Sequence, residues 1–274
     1  MLGSSTRYRS FDCPPFPPIL SAIGRALDDS IADDDEVRRA VRADEALTVG
    51  LIRYANSAWL ARRRRTETIN EALTVVGLAG VRSVVLTQFL GAFFTHAGPV
   101  DEFLWEHAFA SALAIALLQP GTGREMEDLY LCGLFHNVGK AIMNAADPGG
   151  YAEVIRRVTE EGERFCDAER SIFGTVHPNA GAVALEDLPL PRIVKDTALY
   201  HHAPDQAPDA IAGPCRKVLT ADLIAYRVSP AWRALSGVEP PWLVDRLVAN
   251  PPSPFLEDVV TRELCRMRSS LRLR

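Results

Sequence analysis

Apolar residues recur along the chain at three- and four-residue spacing, and no long stretch alternates strictly between apolar and polar positions. That periodicity belongs to amphipathic helices, not half-buried strands, so the spacing predicts an all-α, multi-helical protein. Prolines in Cys13-Pro14-Pro15-Phe16-Pro17-Pro18 hold an extended opening segment. Helices are predicted over Ile19 to Leu27, from the acidic cluster Asp33-Asp34-Asp35-Glu36, and over Glu45 to Ala55, where Asn56-Ser57 stops the chain. Thr68-Ile69-Asn70-Glu71 reads as a capping box that starts a helix ending at Val76-Gly77, and another runs from Val81 to Phe94.

His96-Ala97-Gly98-Pro99 breaks the pattern. Beyond it Asp101 is expected to cap a helix carrying Trp105 and His107, and a long helix is predicted from Glu125 to Asn144. Further helices cover Tyr151 to Thr159, begin at His177-Pro178, end at His201-His202, and span Arg216 to Tyr226. Ser229 to Pro254 is rich in proline and tryptophan, with Trp232 and Trp242 expected to pin it to the core. A basic amphipathic helix is predicted over Leu256 to Leu271, its arginines suited to a helix C-terminus. The expected organisation is an N-terminal helical subdomain (1–97), a second helical subdomain (98–228) and a C-terminal extension (229–274).

Composition supports a packed protein: 274 residues with 47% apolar content, enough for a substantial core. The net charge of −5 gives no global pull toward nucleic acid or anionic membranes. Five scattered cysteines without a Cys-x-x-Cys pair point to reduced thiols and a cytoplasmic setting. The opening residues lack the apolar core of a signal peptide, and no apolar run reaches the roughly 18 residues a span requires.

Candidate chemistry lies in the histidines. His107, His136, His177, His201 and His202 sit on or at the ends of successive predicted helices, with Asp222 inside the next one. Imidazoles and a carboxylate converging from several helices are what a metal site in a helical bundle needs. The same residues serve equally as a buried polar network between helices. Lys140, four residues after His136, is expected on the same helix face. Arg62, Arg63, Arg64 and Arg65 form a basic run suited to phosphate, an acidic protein surface or RNA, or simply a solvated turn. There is no nucleophile elbow, phosphate-binding glycine loop or Cys–His pair at recognisable spacing.

Gly133-Leu134-Phe135-His136-Asn137-Val138-Gly139-Lys140 resembles the His-Asp-x-Gly-Lys signature of the HD phosphohydrolase superfamily. Arg53 to Ala58, Glu71-Ala72 with Val76-Gly77-Leu78, Glu169 to His177 with Gly181, and Leu190-Pro191 leading to His201-His202 resemble its signalling branch, the HDOD (HD-related output domain) family. The order and spacing fit from about Phe16 to Tyr226. The resemblance implies an N-terminal helical bundle packed on an HD-like bundle, in a bacterial signal-transduction or regulatory protein. Asn137 stands where active HD enzymes carry the aspartate that bridges two metals, which implies a degenerate metal site. A neutral amide ligates weakly and does not offset two divalent cations. A non-catalytic regulatory module that binds a signalling protein or a small-molecule or nucleotide ligand is therefore expected, and oligomers are compatible with it. No cofactor is expected beyond, at most, a single divalent transition metal on His107, His136, His177, His201, His202 and Asp222. The alternative is a metal-dependent phosphohydrolase acting on a nucleotide or cyclic dinucleotide, with Lys140 contacting phosphate. A nucleic-acid-binding role for Arg62 to Arg65 ranks behind both.

Overall fold

Local chemistry fixes the first boundaries. Asp44 accepts from the Leu47 backbone N–H at 3.0 Å and separates helix α1 (Asp34–Ala43) from α2 (Glu45–Ala55). The Asn56 amide donates to the Ile52 and Thr66 carbonyls and accepts from Thr66 N–H, so the predicted stop also fastens the chain ahead of the next helix. The capping box forms: Glu71 N–H donates to Thr68 Oγ1 at 3.2 Å, and Thr68 N–H reaches back to Glu71 Oε2 at 3.4 Å. The following helix, α3 (Ile69–Gly91), is broken at Gly77, whose φ of 60° lies in the left-handed region that only glycine enters freely. The computed structural model describes residues 19, 34–57, 64–91, 93–94, 98–119, 124–186, 188 and 190–271. The predicted helix at Ile19 to Leu27 lies, apart from Ile19, outside these residues.

The remaining helices are α4 (Pro99–Leu118), α5 (Arg124–Phe135), α6 (Val138–Ala146), α7 (Pro148–Glu160), α8 (Phe165–Phe173), α9 (His177–Leu185), α10 (Arg192–Tyr200), α11 (Asp209–Val228), α12 (Pro230–Ser236), α13 (Pro241–Ala249) and α14 (Pro254–Leu271). The fold is all-α, with no strand among the described residues. Helix α4 is central, packed against α5, α11, α12, α14 and α6. Its side chains from Phe103 to Ala116 are buried almost all round, which explains why it shows little amphipathic stripe. Small residues allow this crowding. A Cβ on Gly133 of α5 would lie 2.9 Å from Ala112 Cα and the Ser111 carbonyl of α4, so the two helices approach at backbone distance.

Helix α3 has the length and apolar composition of a membrane span, unlike the sequence expectation, but 56% of its apolar window is buried inside the protein. Its buried face packs on α2 and α5. There Glu127 accepts from Tyr54 and, at 2.6 Å, from Ser83, joining three helices through one buried carboxylate.

Several boundaries depart from the periodicity. Pro99 starts α4 and Gly98 is its N-cap; Asp101 does not cap but is buried in the first turn, accepting from Asn144. The predicted helix from Glu125 to Asn144 is two helices: His136 N–H makes a last bond to the Cys132 carbonyl at 3.1 Å, and Asn137 is the N-cap of α6. Helix α8 went unpredicted, as did α12 and α13 within the proline-rich segment. Pro230 and Pro241 open α12 and α13 at their first turns, where a missing N–H costs nothing. Trp232 is 1% exposed and packs on Phe103 and Tyr226. Glu106 accepts from Ser229 Oγ at 2.8 Å and the Ala231 N–H at 3.0 Å, and pairs with Arg268 of α14. Arg268 thus reaches across the fold to α4 and does more than complement a helix end.

Candidate metal centre

Five helices deliver five histidines and Asp222 to one place. His107 projects from α4 and Asp222 from α11, with His107 Nε2 2.8 Å from Asp222 Oδ1. His136, at the break after α5, places Nε2 3.2 Å from the same oxygen. Asn137 Nδ2 donates to it at 3.4 Å. His177 opens α9, and His201 and His202 follow α10. His177 Nε2 lies 2.9 Å from His202 Nε2 and 3.4 Å from His201 Nε2. The His136 and His201 rings meet edge-on with centroids 5.0 Å apart, which links the two groups. His107, His136, His177, His201 and Asp222 are each at most 2% exposed, and His202 is half-buried. All six sequence candidates for metal ligation are therefore brought together.

Helix geometry explains the convergence. A Cβ on Gly139 would meet the His177 carbonyl oxygen at 2.0 Å, so only glycine lets α6 and α9 cross this closely. That crossing seats His177 beside the His136 turn.

The surrounding partners fix each ring. His136 Nδ1 lies 2.8 Å from the Gly133 carbonyl and His201 Nδ1 2.9 Å from the Ala198 carbonyl. A carbonyl only accepts, so both Nδ1 atoms carry hydrogen, and the His201 ring, neutral because burial lowers it, presents a bare Nε2 lone pair. Glu169 of α8 holds His177 Nδ1 at 2.7 Å and its backbone N–H at 2.8 Å, while Tyr151 donates to Glu169 at 3.2 Å. Orientation by an outer carboxylate or carbonyl is typical of metal-ligating histidine.

Burial dominates the electrostatics. It pushes His107 down to about 4 against the opposing pull of Asp222, and lowers His177, His201 and His202 likewise, His202 to about 3. Burial raises Glu169 to about 7. Burial would raise Asp222 too, but hydrogen bonds from His107 and His136 outweigh it and hold the carboxyl well below its usual range. Lys140 is lowered by burial; its Nζ sits 3.9 Å above the Phe165 ring and 3.2 Å from Tyr226 Oη. The helix break leaves Lys140 enclosed by aromatic rings, not displayed on a common helix face with His136.

His107, His136 and Asp222 fit one divalent ion. His107 Nε2 and His136 Nε2 both face Asp222 Oδ1, at 2.8 and 3.2 Å, and the three ligand atoms lie within 4.8 Å of one another. His107 Nδ1 is buried without a partner. Two ions do not fit as they would across a bridging carboxylate: Asn137 supplies an amide that donates to Asp222, and its Oδ1 is buried and unpartnered. Glu169 and Cys166 are the site residues that sequence reasoning missed as participants. Glu169 lay within a recognised segment, but its role depends on α8, which the pattern did not reveal.

Of the basic run, Arg62 and Arg63 lie outside the described residues. Arg64 and Arg65 are exposed, and Arg64 pairs loosely with Glu71 at 3.7 Å.

Fold and site together define an all-α domain that gathers five histidines and an aspartate from successive helices. A model of the HDOD domain matches residues 13–204, and the chain belongs to the HDOD family. A protein of Treponema pallidum, described only as uncharacterized, is 28% identical over 216 residues, covering 76% of this chain and 41% of that protein. The chain thus spans well under half the length of that relative. An HDOD domain protein of unknown function from Geobacter sulfurreducens has a similar structure, with TM-score 0.70 and 28% identity over 97% of this chain and 94% of that one. A Shewanella amazonensis protein provisionally named a metal-dependent phosphohydrolase matches with TM-score 0.64 and 18% identity, covering 94% of each chain. At that identity the likeness is one of fold.

Proposed function

We propose that this chain is a non-catalytic signal-transduction module of HDOD type, working in the bacterial cytoplasm by binding a signalling protein or a small ligand such as a nucleotide. The observation that carries this reading is the Asn137 amide donating to Asp222 at 3.4 Å. With an amide there, the charge that would hold two cations and activate a water between them is missing. Two further features support it. Lys140 is 1% exposed and caged by Phe165 and Tyr226, turned away from any solvent-borne phosphate. The ligand set itself is closed off except at His202.

A divalent ion on His107, His136 and Asp222 would supply fixed positive charge that ties α4, α5 and α11 together. Those residues bind and orient; none is placed to move a proton to or from an external substrate. The fit of one ion also keeps the metal-dependent phosphohydrolase as the second reading. The deciding experiment is a phosphodiesterase assay of the full chain with manganese, using bis(4-nitrophenyl) phosphate and cyclic dinucleotides, beside His136→Ala. We expect equal background in both proteins. Turnover in the wild type that disappears in the variant would replace the regulatory reading with the enzymatic one.

A further inference from the structure

We propose that Arg246 and Trp242, on helix α13 of the C-terminal extension, form a binding site for the phosphate group of a small ligand at the mouth of the histidine centre. The proposal rests on the small-ligand form of the regulatory reading and names the chemical class of that ligand. Both residues lie beyond the positions 13–204 matched by the HDOD model, so the site is an addition to the family's core.

The first argument is placement. Leu243 and Leu247, 0% and 9% exposed, seat one side of α13 against the protein, while Val244 and Val248 face solvent. Trp242 and Arg246 stand one helical turn apart on the flank beside that buried stripe, and both are half-buried. The Trp242 ring meets Tyr226 at 5.5 Å between centroids and Phe165 at 6.1 Å, both edge-on. Phe165 directly precedes Cys166 in α8, and Cys166 and His202 are the half-buried groups of a cluster otherwise sealed. The charge of Arg246 acts on the same place. Burial first holds His202 at about 3, and the Lys140 and Arg246 charges add to it against the pull of Asp222.

The second argument is unmet hydrogen bonding. Among the described residues the Arg246 guanidinium has no ion pair or hydrogen bond, unlike Arg156, Arg227 and Arg268, which pair with glutamates. The Trp242 Nε1 hydrogen is buried without an acceptor, and a buried donor left unmade carries a cost that a ligand oxygen removes. The neighbouring carboxylates are already engaged: Asp222 by His107, His136 and Asn137, and Glu169 by His177 and Tyr151.

The third argument is charge. A guanidinium presents a planar fork of N–H donors matched to phosphate or carboxylate. Lys140, 3.9 Å over the Phe165 ring, does not reach the rim but adds a second positive charge behind it. Two positive charges favour a phosphate ester, which carries about −1.5 to −2 near pH 7, over a singly charged carboxylate.

The test is isothermal titration calorimetry of the full chain, dialysed against chelator, with inorganic phosphate and with adenosine monophosphate at constant ionic strength. We expect one equivalent of phosphate-bearing probe to bind, with affinity lowered about 10–100-fold in Arg246→Ala, the usual loss when a charged hydrogen bond is removed. Arg246→Lys should fall between the two, because it keeps the charge and loses the fork. Trp242→Phe, which keeps the ring contacts, should also weaken binding. Circular dichroism checks folding, and Arg246→Lys carries the comparison if Arg246→Ala does not fold. Tighter binding of the ester assigns a phosphate ester and the reverse order assigns free phosphate; either sustains the site. Acetate binding as tightly as phosphate, affinity unchanged in the Arg246 variants, or no binding of either probe would each overturn it. Manganese-dependent turnover would overturn the regulatory reading without touching this measurement, which is made without metal, so the two failures are distinguishable.

Discussion

Gly139 and the carbonyl of His177 touch so closely that a Cβ on Gly139 would fall 2.0 Å from the carbonyl oxygen and 2.8 Å from the Gly181 nitrogen. Two helix starts cross here at backbone distance, and His177 owes its place among the other histidines to that crossing. Because the obstructing atoms are backbone, no rotamer change relieves the clash. Gly139→Ala should therefore destabilise the protein by about 3 kcal/mol or more, the upper end of overpacking costs. For a chain of this size that lowers Tm by roughly 6–12 °C. Urea denaturation followed by circular dichroism measures it, and a loss under about 1 kcal/mol would show that α6 and α9 separate freely.

Asn137→Asp tests the missing bridge. The new carboxylate would stand beside Asp222 Oδ1, to which the Asn137 amide now donates at 3.4 Å. In chelator two like charges share a buried site, and we expect a loss of about 1–3 kcal/mol, read as a Tm lower by roughly 2–12 °C. Manganese should restore the stability of the variant more than it raises that of the wild type. Equal metal responses in thermal scans would mean that residue 137 does not face a cation.

Glu127 provides a pH signature away from the histidines. Burial raises its carboxyl above the ordinary value against the hydrogen bonds from Ser83 and Tyr54. A group raised in this way contributes stability that is fully present below its unfolded value, near 4.5, and is lost as pH climbs through the raised one. A glutamine side chain at this position would accept from Tyr54 and Ser83 without titrating. The stability of Glu127→Gln relative to wild type should therefore increase from pH 4 to pH 8. A difference that stays flat or shrinks over that range, in parallel urea melts, would contradict the assignment.

What was legible in the sequence was local. The Thr68–Glu71 box, the Asn56 stop and the Gly77 break depend on atoms within a few residues of one another, so spacing alone revealed them. The histidine set was legible through its ordered motifs, and the structure gathers all six candidates. The His136–Asn137 break was not, because residues on both sides carry a continuous helical pattern. Nor was α8 legible: its nine residues are too few to show a clear period, yet they bring in Glu169 and Cys166.

The sequence by itself determined that this chain is helical, where most helices start and stop, and which imidazoles converge. Helix boundaries follow from backbone hydrogen bonding and from a periodicity that needs no distant partner, while the histidine set was marked by its resemblance to ordered family motifs. Tertiary structure alone decided that Lys140 lies over Phe165 instead of facing solvent, that Arg268 closes on Glu106, and that a thiol stands beside His177 and His202. Each of those depends on which helices cross and how closely, and that is set by packing volume between residues far apart in the chain.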